Sequence, residues 1–222
     1  MAATLPDFNA EREAMVDRQL RRRGITDQHI LDAFLTVPRE KFISEEHGHL
    51  AYGDHPLPIE AGQTISQPYI VALMIEAAGI KAGDKVLEVG AGSGYAAAII
   101  GQIARRVIAI ERQHELVEIA RKRISGLGYD NVEIVEGDGT KGLPGEAPFD
   151  AILAAASGTH VPKALLEQLA DGGCIVMPLG GPGWTQQLVK VTKRPDGALE
   201  RQNLGGVRFV PLIGEEGWKD AR

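Results

Sequence analysis

From residue 80 onward, short apolar runs alternate with helical stretches, and that alternation limits the fold more than any other feature of the chain. Lys85-Val86-Leu87-Glu88-Val89 is a strand-like run followed by glycines, and Tyr95 to Ala104 reads as a helix. Val107-Ile108-Ala109-Ile110 is the next strand and His114 to Ser125 the next helix. Strands follow at 132–136, 150–155 and 174–178, with a helix from Pro162 to Ala170. Apolar strands separated by helices at this spacing require a mostly parallel sheet covered on both faces. After residue 183 the pattern changes. Gln187 to Lys193, the turn Arg194-Pro195-Asp196-Gly197 and Leu199 to Leu204 predict a hairpin, and Val207 to Leu212 a further strand. The sheet therefore ends in an antiparallel edge.

The first 79 residues read differently. Helices are expected over 8–23 and 26–35, separated by Gly24, the second opened by Thr26-Asp27 and closed before Pro38. Arg21-Arg22-Arg23 closes the first helix, where cations suit the dipole. Residues 44–66 form a long Gly-, Pro- and His-rich loop, and long loops inside compact domains usually carry function. Its histidines, His47, His49 and His55, match no common zinc spacing, so no metal site is expected. We expect 1–79 to pack on a core formed by 80–222 as one structural unit. The net charge of −6 argues against nonspecific nucleic-acid binding and against anionic membranes. Cys174 is the only cysteine, which excludes disulfides, and it lies in an apolar strand. No segment has the length of a membrane span, and the N-terminus lacks the regions of a signal peptide, so a cytoplasmic, monomeric protein is expected.

Glu88-Val89-Gly90-Ala91-Gly92-Ser93-Gly94 follows the first strand and opens a helix, a loop that lets a ligand approach the backbone closely. Glu111 ends the second strand, where a carboxylate can accept from ribose hydroxyls. Both a dinucleotide and S-adenosyl-L-methionine fit this much. Three features favour the second. The glycines are spaced G-x-G-x-G rather than G-x-G-x-x-G/A. Glu88 puts a negative charge just ahead of the loop, which repels a pyrophosphate but suits an ammonium and a sulfonium. Asp138 ends the third strand and can accept from an adenine amino group.

The segment Gly62-Gln63-Thr64-Ile65-Ser66-Gln67-Pro68-Tyr69 precedes an apolar helix over 69–78 that ends at Gly79. Taken alone, Ser66 before Pro68 reads as a helix cap. Together with "AYGDHPLPI" before it, and with "VLEVGAGSGY", "IER", "GDGT", "PFDAIL" and "VPKALLEQL" after it in order, the chain resembles the protein-L-isoaspartate O-methyltransferase family from the N-terminal helices to "VRFVPL". That resemblance implies a Rossmann-like class I S-adenosylmethionine-dependent methyltransferase fold with an N-terminal helical extension. It implies methyl transfer from S-adenosyl-L-methionine, leaving S-adenosyl-L-homocysteine, to the α-carboxylate of L-isoaspartyl residues in damaged proteins and peptides. The ester then collapses to a succinimide. By position in the motifs, Ser66 corresponds to the family's active-site serine. Ile59, Glu60, Ala61, Gly62, Gln63, Thr64, Ser66, Glu88, Gly90, Gly92, Ser93, Gly94, Glu111, Arg112, Asp138 and Gly139 correspond to donor-binding positions. The chain differs from the usual pattern at Glu60, at Ser157-Gly158-Thr159-His160 and at Ile213. A methyltransferase of the same fold with another acceptor, and an inactive donor-binding module, are the alternatives.

Overall fold

The computed structural model describes residues 7–220. The reading of the extreme N-terminus as carrying no export signal falls largely on residues 1–6, outside the described residues. Helix α1, Phe8–Met15, starts where Asp7 accepts from the backbone N–H groups of Asn9 and Ala10. The expected helix over 8–23 does continue, but as a π-turn at Val16–Leu20 and a 3-10 turn at Arg21–Arg23, stopped by Gly24 at φ +98°. Helix α2, Gln28–Thr36, is capped by the Asp27 side chain. The loop that follows is ordered by 3-10 turns at Arg39–Phe42, Glu45–Leu50 and Glu60–Gly62. A two-stranded ladder of β1, Leu57–Pro58, and β2, Thr64–Ile65, closes it. Helix α3, Pro68–Ala78, begins on its proline and ends at Gly79, φ +69°, a left-handed position that suits glycine.

The remaining elements are β3, Lys85–Val89; α4, Tyr95–Gly101; β4, Arg106–Glu111; α5, His114–Gly126; β5, Val132–Glu136; β6, Phe149–Ala154; α6, Lys163–Glu167; β7, Leu169–Leu179; β8, Gln186–Lys193; and β9, Leu199–Val207. Seven strands form one sheet in the order β5-β4-β3-β6-β7-β8-β9. All pairs up to β7 are parallel, and β8 and β9 add antiparallel. Alternate residues of the central strands enter two apolar clusters, one on each face. Val86, Ala109 and Leu153 join the N-terminal helices, α3, α4 and α5 on one side. Leu87, Ile108 and Ile152 join α6 on the other. The first cluster runs without a break from Leu20, Phe34 and Phe42 to Tyr95 and Ile99, so the N-terminal segment shares the core of the sheet.

Two expectations need correction. The helix expected from Pro162 to Ala170 stops at Glu167, because Leu169 already pairs with Phe149 as the first residue of β7. The strand expected from Val207 to Leu212 does not form. Val207 is the last residue of β9, and beyond it the chain leaves the sheet and crosses the end of β6, meeting Ser157 through a single bridge to Pro211. Proline has no N–H to give to a ladder, and the backbone groups around it are taken up by Ser157 instead.

Candidate functional site

The order of strands reverses between β3 and β6, and in an open α/β sheet the crevice beyond the strand ends at that point is where ligands bind. The loop after β3 is built for close approach. Gly90 and Gly92 have φ of +91° and +54°, and the amides of Gly90 and Ala91 donate to the carbonyl of Ile110 at 2.8 and 3.0 Å. This ties the loop to the end of β4, where Glu111 stands. Its Oε2 accepts from the Gly92 amide at 3.0 Å, and its Oε1 from the amides of Arg112 and Gln113 at 2.8 and 2.9 Å. A carboxylate offers about four acceptor sites, so Glu111 can hold the loop and still accept from a ligand.

Glu88 lies on the α4 side of β3 and is 2% exposed. Its Oε2 has no hydrogen-bond partner, and burial, then the neighbouring Glu111, pushes its carboxyl well above the usual carboxylate range. A buried carboxyl facing a cavity in this condition suits a cationic group.

The segment leading into α3 forms the facing wall. Gln67 is the N-cap of that helix, and no side chain caps it, so the cap reading of Ser66 has no support here. Just before it, Ala61 takes φ +53° in the Glu60–Gly62 turn, a left-handed conformation that costs an alanine about 1–2 kcal/mol. Glu60 explains how the turn is held. Its carboxylate meets Arg123 of α5 in a two-pronged ion pair, 2.8 Å at the shorter prong, with both side chains mostly covered. Ile59 packs behind Gly92, where a Cβ on that glycine would sit 3.5 Å from its Cδ1.

A third wall comes from the strap after β9. Ser157, fully buried, donates its amide to Val210 O, and its carbonyl accepts from Leu212 N and from the indole of Trp218. Gln186 of β8, also buried, clamps Phe209 by both backbone groups. Its Oε1 accepts from Phe209 N at 2.7 Å, its Nε2 donates to Phe209 O at 3.0 Å, and the same nitrogen donates to Ser157 Oγ at 2.9 Å.

These walls enclose a cavity of about 1320 Å³. Of the residues singled out from the sequence, Gly62, Gln63, Thr64, Ser66, Glu88, Gly90, Gly92, Ser93, Glu111, Arg112 and Gly139 line it. Ile59, Glu60, Ala61, Gly94 and Asp138 do not line it. Gly94, at φ +88°, begins α4 and packs against Ala120 and Ile124. Asp138 turns its carboxylate to Thr140 and to the Glu215 amide at 2.7–2.9 Å. Burial works against its charge, but those hydrogen bonds and Lys141 outweigh it and hold its pKa below the ordinary value. Sequence reasoning missed Arg39, Arg123, Ser157's anchoring role, Gln186 and Trp218. Each acts through a contact distant in sequence, and no local spacing signals it. Among the described residues no group of three His, Cys, Asp or Glu side chains is arranged to hold a metal ion. Among them, too, no helix is long and apolar enough to cross a membrane.

Comparison with known proteins agrees with this geometry. The profile of the protein-L-isoaspartate(D-aspartate) O-methyltransferase family matches residues 10–217. A protein-L-isoaspartate O-methyltransferase of Koribacter versatilis is 50% identical over all of both chains. One from Dictyoglomus turgidum is 51% identical over 97% of this chain and 96% of its own. A solved protein-L-isoaspartate O-methyltransferase superposes with a TM-score of 0.84 at 32% identity, over 92% of this chain and 66% of its own. A Plasmodium falciparum structure of that type, in complex with S-adenosyl-L-homocysteine, superposes with a TM-score of 0.79 at 29% identity, over 91% of this chain and 98% of its own. By its sequence over nearly its whole length and by its overall fold, this chain belongs to the protein-L-isoaspartate(D-aspartate) O-methyltransferase family.

Proposed function

We propose that the chain transfers a methyl group from S-adenosyl-L-methionine to the free α-carboxylate of L-isoaspartyl residues in proteins and peptides, the first step of repair through a succinimide. The observation that carries this reading is that one cavity is lined by Ser66, the glycine loop, Glu88 and Glu111 together. The residues fit the donor. The unpartnered buried Oε2 of Glu88 takes its cationic end, the Gly90–Gly92 turn admits it against the backbone, and the remaining acceptor site of Glu111 takes a ribose hydroxyl. When bound, that donor supplies an electrophilic methyl on sulfur, which passes to a carboxylate oxygen as the carbon–sulfur bond breaks and its electron pair stays on sulfur.

The protein's own task is placement. An α-carboxyl group has a pKa of about 3.3–3.7 and is already ionised at neutral pH, so no general base is needed. The Ser66 hydroxyl donates to one carboxylate oxygen and leaves the other free to attack in line, at about 3–3.5 Å. Gly139 and Gln113 line the same cavity, as do Phe209 and Val210 of the strap. A cytoplasmic monomer fits a chain whose one cysteine is a buried free thiol and whose described surface exposes only Leu50, Trp184 and Leu199 among large hydrophobics.

The test is single-turnover methylation of an isoaspartyl peptide at saturating donor by folded wild type and Ser66→Ala. The rate constant should fall by about tenfold to a hundredfold with donor affinity within a few-fold. Equal rates would remove Ser66 from the reaction, and no methylation by wild type would overturn the activity.

A further inference from the structure

Among the described residues Arg39 is one of the large side chains that are fully buried. It lies in the 3-10 turn after α2, 27 residues from Ser66, yet its Nη2 donates to the carbonyl oxygen of Ser66 at 2.8 Å. Its Nε donates at 2.8 Å to the carbonyl of Ala51, in the same long loop. The guanidinium sits 4.8 Å from the centre of the Tyr95 ring, a residue that lines the cavity and is itself completely buried. Phe34 and Phe42 pack edge-on against that same ring at 6.1 and 5.5 Å. Among the described residues no carboxylate pairs with Arg39: the adjacent Glu40 is taken by Arg12 and Tyr52, and Arg39 Nη1 has no partner there.

Burying an unpaired cation is costly, and burial alone pulls the Arg39 pKa down. A structure meant only to pack this region would place an apolar side chain here. What the guanidinium does that an apolar side chain cannot is fix two carbonyls at once with the rigid geometry of its fork. One of those carbonyls belongs to the residue whose hydroxyl must hold the substrate. Pinning Ser66 O fixes the peptide plane from which the Ser66 side chain departs, just ahead of Pro68, so the direction of Oγ is set from behind. We propose that Arg39 is a positioning residue for methyl transfer, holding Ser66 in the orientation that aligns the acceptor carboxylate. It touches neither donor nor acceptor. The inference rests on the role proposed for Ser66.

The experiment is a double-mutant cycle of Arg39→Met and Ser66→Ala, with Arg39→Lys as the conservative variant. Folding is checked by thermal melting, and donor affinity by calorimetry. Arg39→Met keeps length and apolar bulk, and it should lower the single-turnover rate on an isoaspartyl peptide by about tenfold or more while donor affinity stays within a few-fold. In the Ser66→Ala background the same change should have almost no further effect, because the hydroxyl it orients is gone. Arg39→Lys makes one of the two hydrogen bonds and should fall between. If the effects of Arg39→Met and Ser66→Ala multiply, Arg39 acts on packing and not through Ser66, and the inference fails. The same follows if donor affinity falls as much as the rate. Should Ser66→Ala alone leave the rate unchanged, the fault lies in the role given to Ser66. If Arg39→Met does not fold, Arg39→Lys in both backgrounds answers the same question.

Discussion

Glu88 shows how one residue can serve ligand and fold in opposite directions. Its carboxyl is buried without a partner for Oε2, and its pKa is raised above the ordinary 4.5 by burial and by Glu111. Between the ordinary value and the raised one, the folded state holds a proton that the unfolded state has lost, so stability of the ligand-free protein falls as pH rises through that window. Glu88→Gln removes the ionisation while keeping the shape. The variant should melt higher than wild type at neutral pH, show a flatter stability profile above pH 4.5, and bind donor more weakly. Thermal melts across pH with and without donor check all three, and a lower melting temperature would show that the carboxyl has a partner in solution. Glu111 is different, because its oxygens already hold Gly92, Arg112 and Gln113. Glu111→Ala should lose about 1.5–3 kcal/mol of donor binding, the worth of one charge-assisted hydrogen bond to the ligand, read by calorimetry. Unchanged affinity would take it out of the site.

Among the elements, the strap after β9 is where local pattern and structure part. Val207-Arg208-Phe209-Val210 has the composition of a strand, and the reading as strand follows from it. Nothing in that run says that the Gln186 amide will occupy both backbone groups of Phe209, or that Ser157 will take those of Val210 and Leu212. Strands β3, β4 and β6 were legible because a near-continuous apolar run is a local property that burial on both faces imposes, and edge strand β5 by the alternation of buried Val132 and Ile134 with exposed Glu133. The glycine turn and the acids at the strand ends were legible for a related reason, since parallel strands bring their C-terminal ends to one edge. The Arg39–Ser66 and Glu60–Arg123 contacts span 27 and 63 residues, and only the closed fold reveals them. The strap's dependence on Gln186 can be measured. Gln186→Leu leaves the Phe209 N–H and C=O buried without partners, costing about 1–3 kcal/mol of stability, and should raise KM for an isoaspartyl peptide while donor affinity holds. Peptide KM unchanged in the folded variant would mean the strap does not touch the acceptor.

At the scale of the whole molecule, the reaction depends on two parts of the chain that meet only in the fold. One cavity is lined by the ends of β3 and β4, by the loop before α3 and by the strap after β9. The continuous core from Leu20 to Ile99 fixes the distance between them, so the cavity sets where a carboxylate must stand to be methylated. An isoaspartyl residue and a normal aspartyl residue carry the same atoms, but they differ by one methylene in how far the carboxylate stands from the backbone. A site that works by alignment should therefore accept one and reject the other. The most direct measurement is transfer of a labelled methyl group to two synthetic peptides identical except for this linkage. The isoaspartyl peptide should be methylated to completion, with a succinimide accumulating as the ester collapses, and the aspartyl peptide should stay at background. Equal rates on the two peptides would contradict placement as the basis of the reaction.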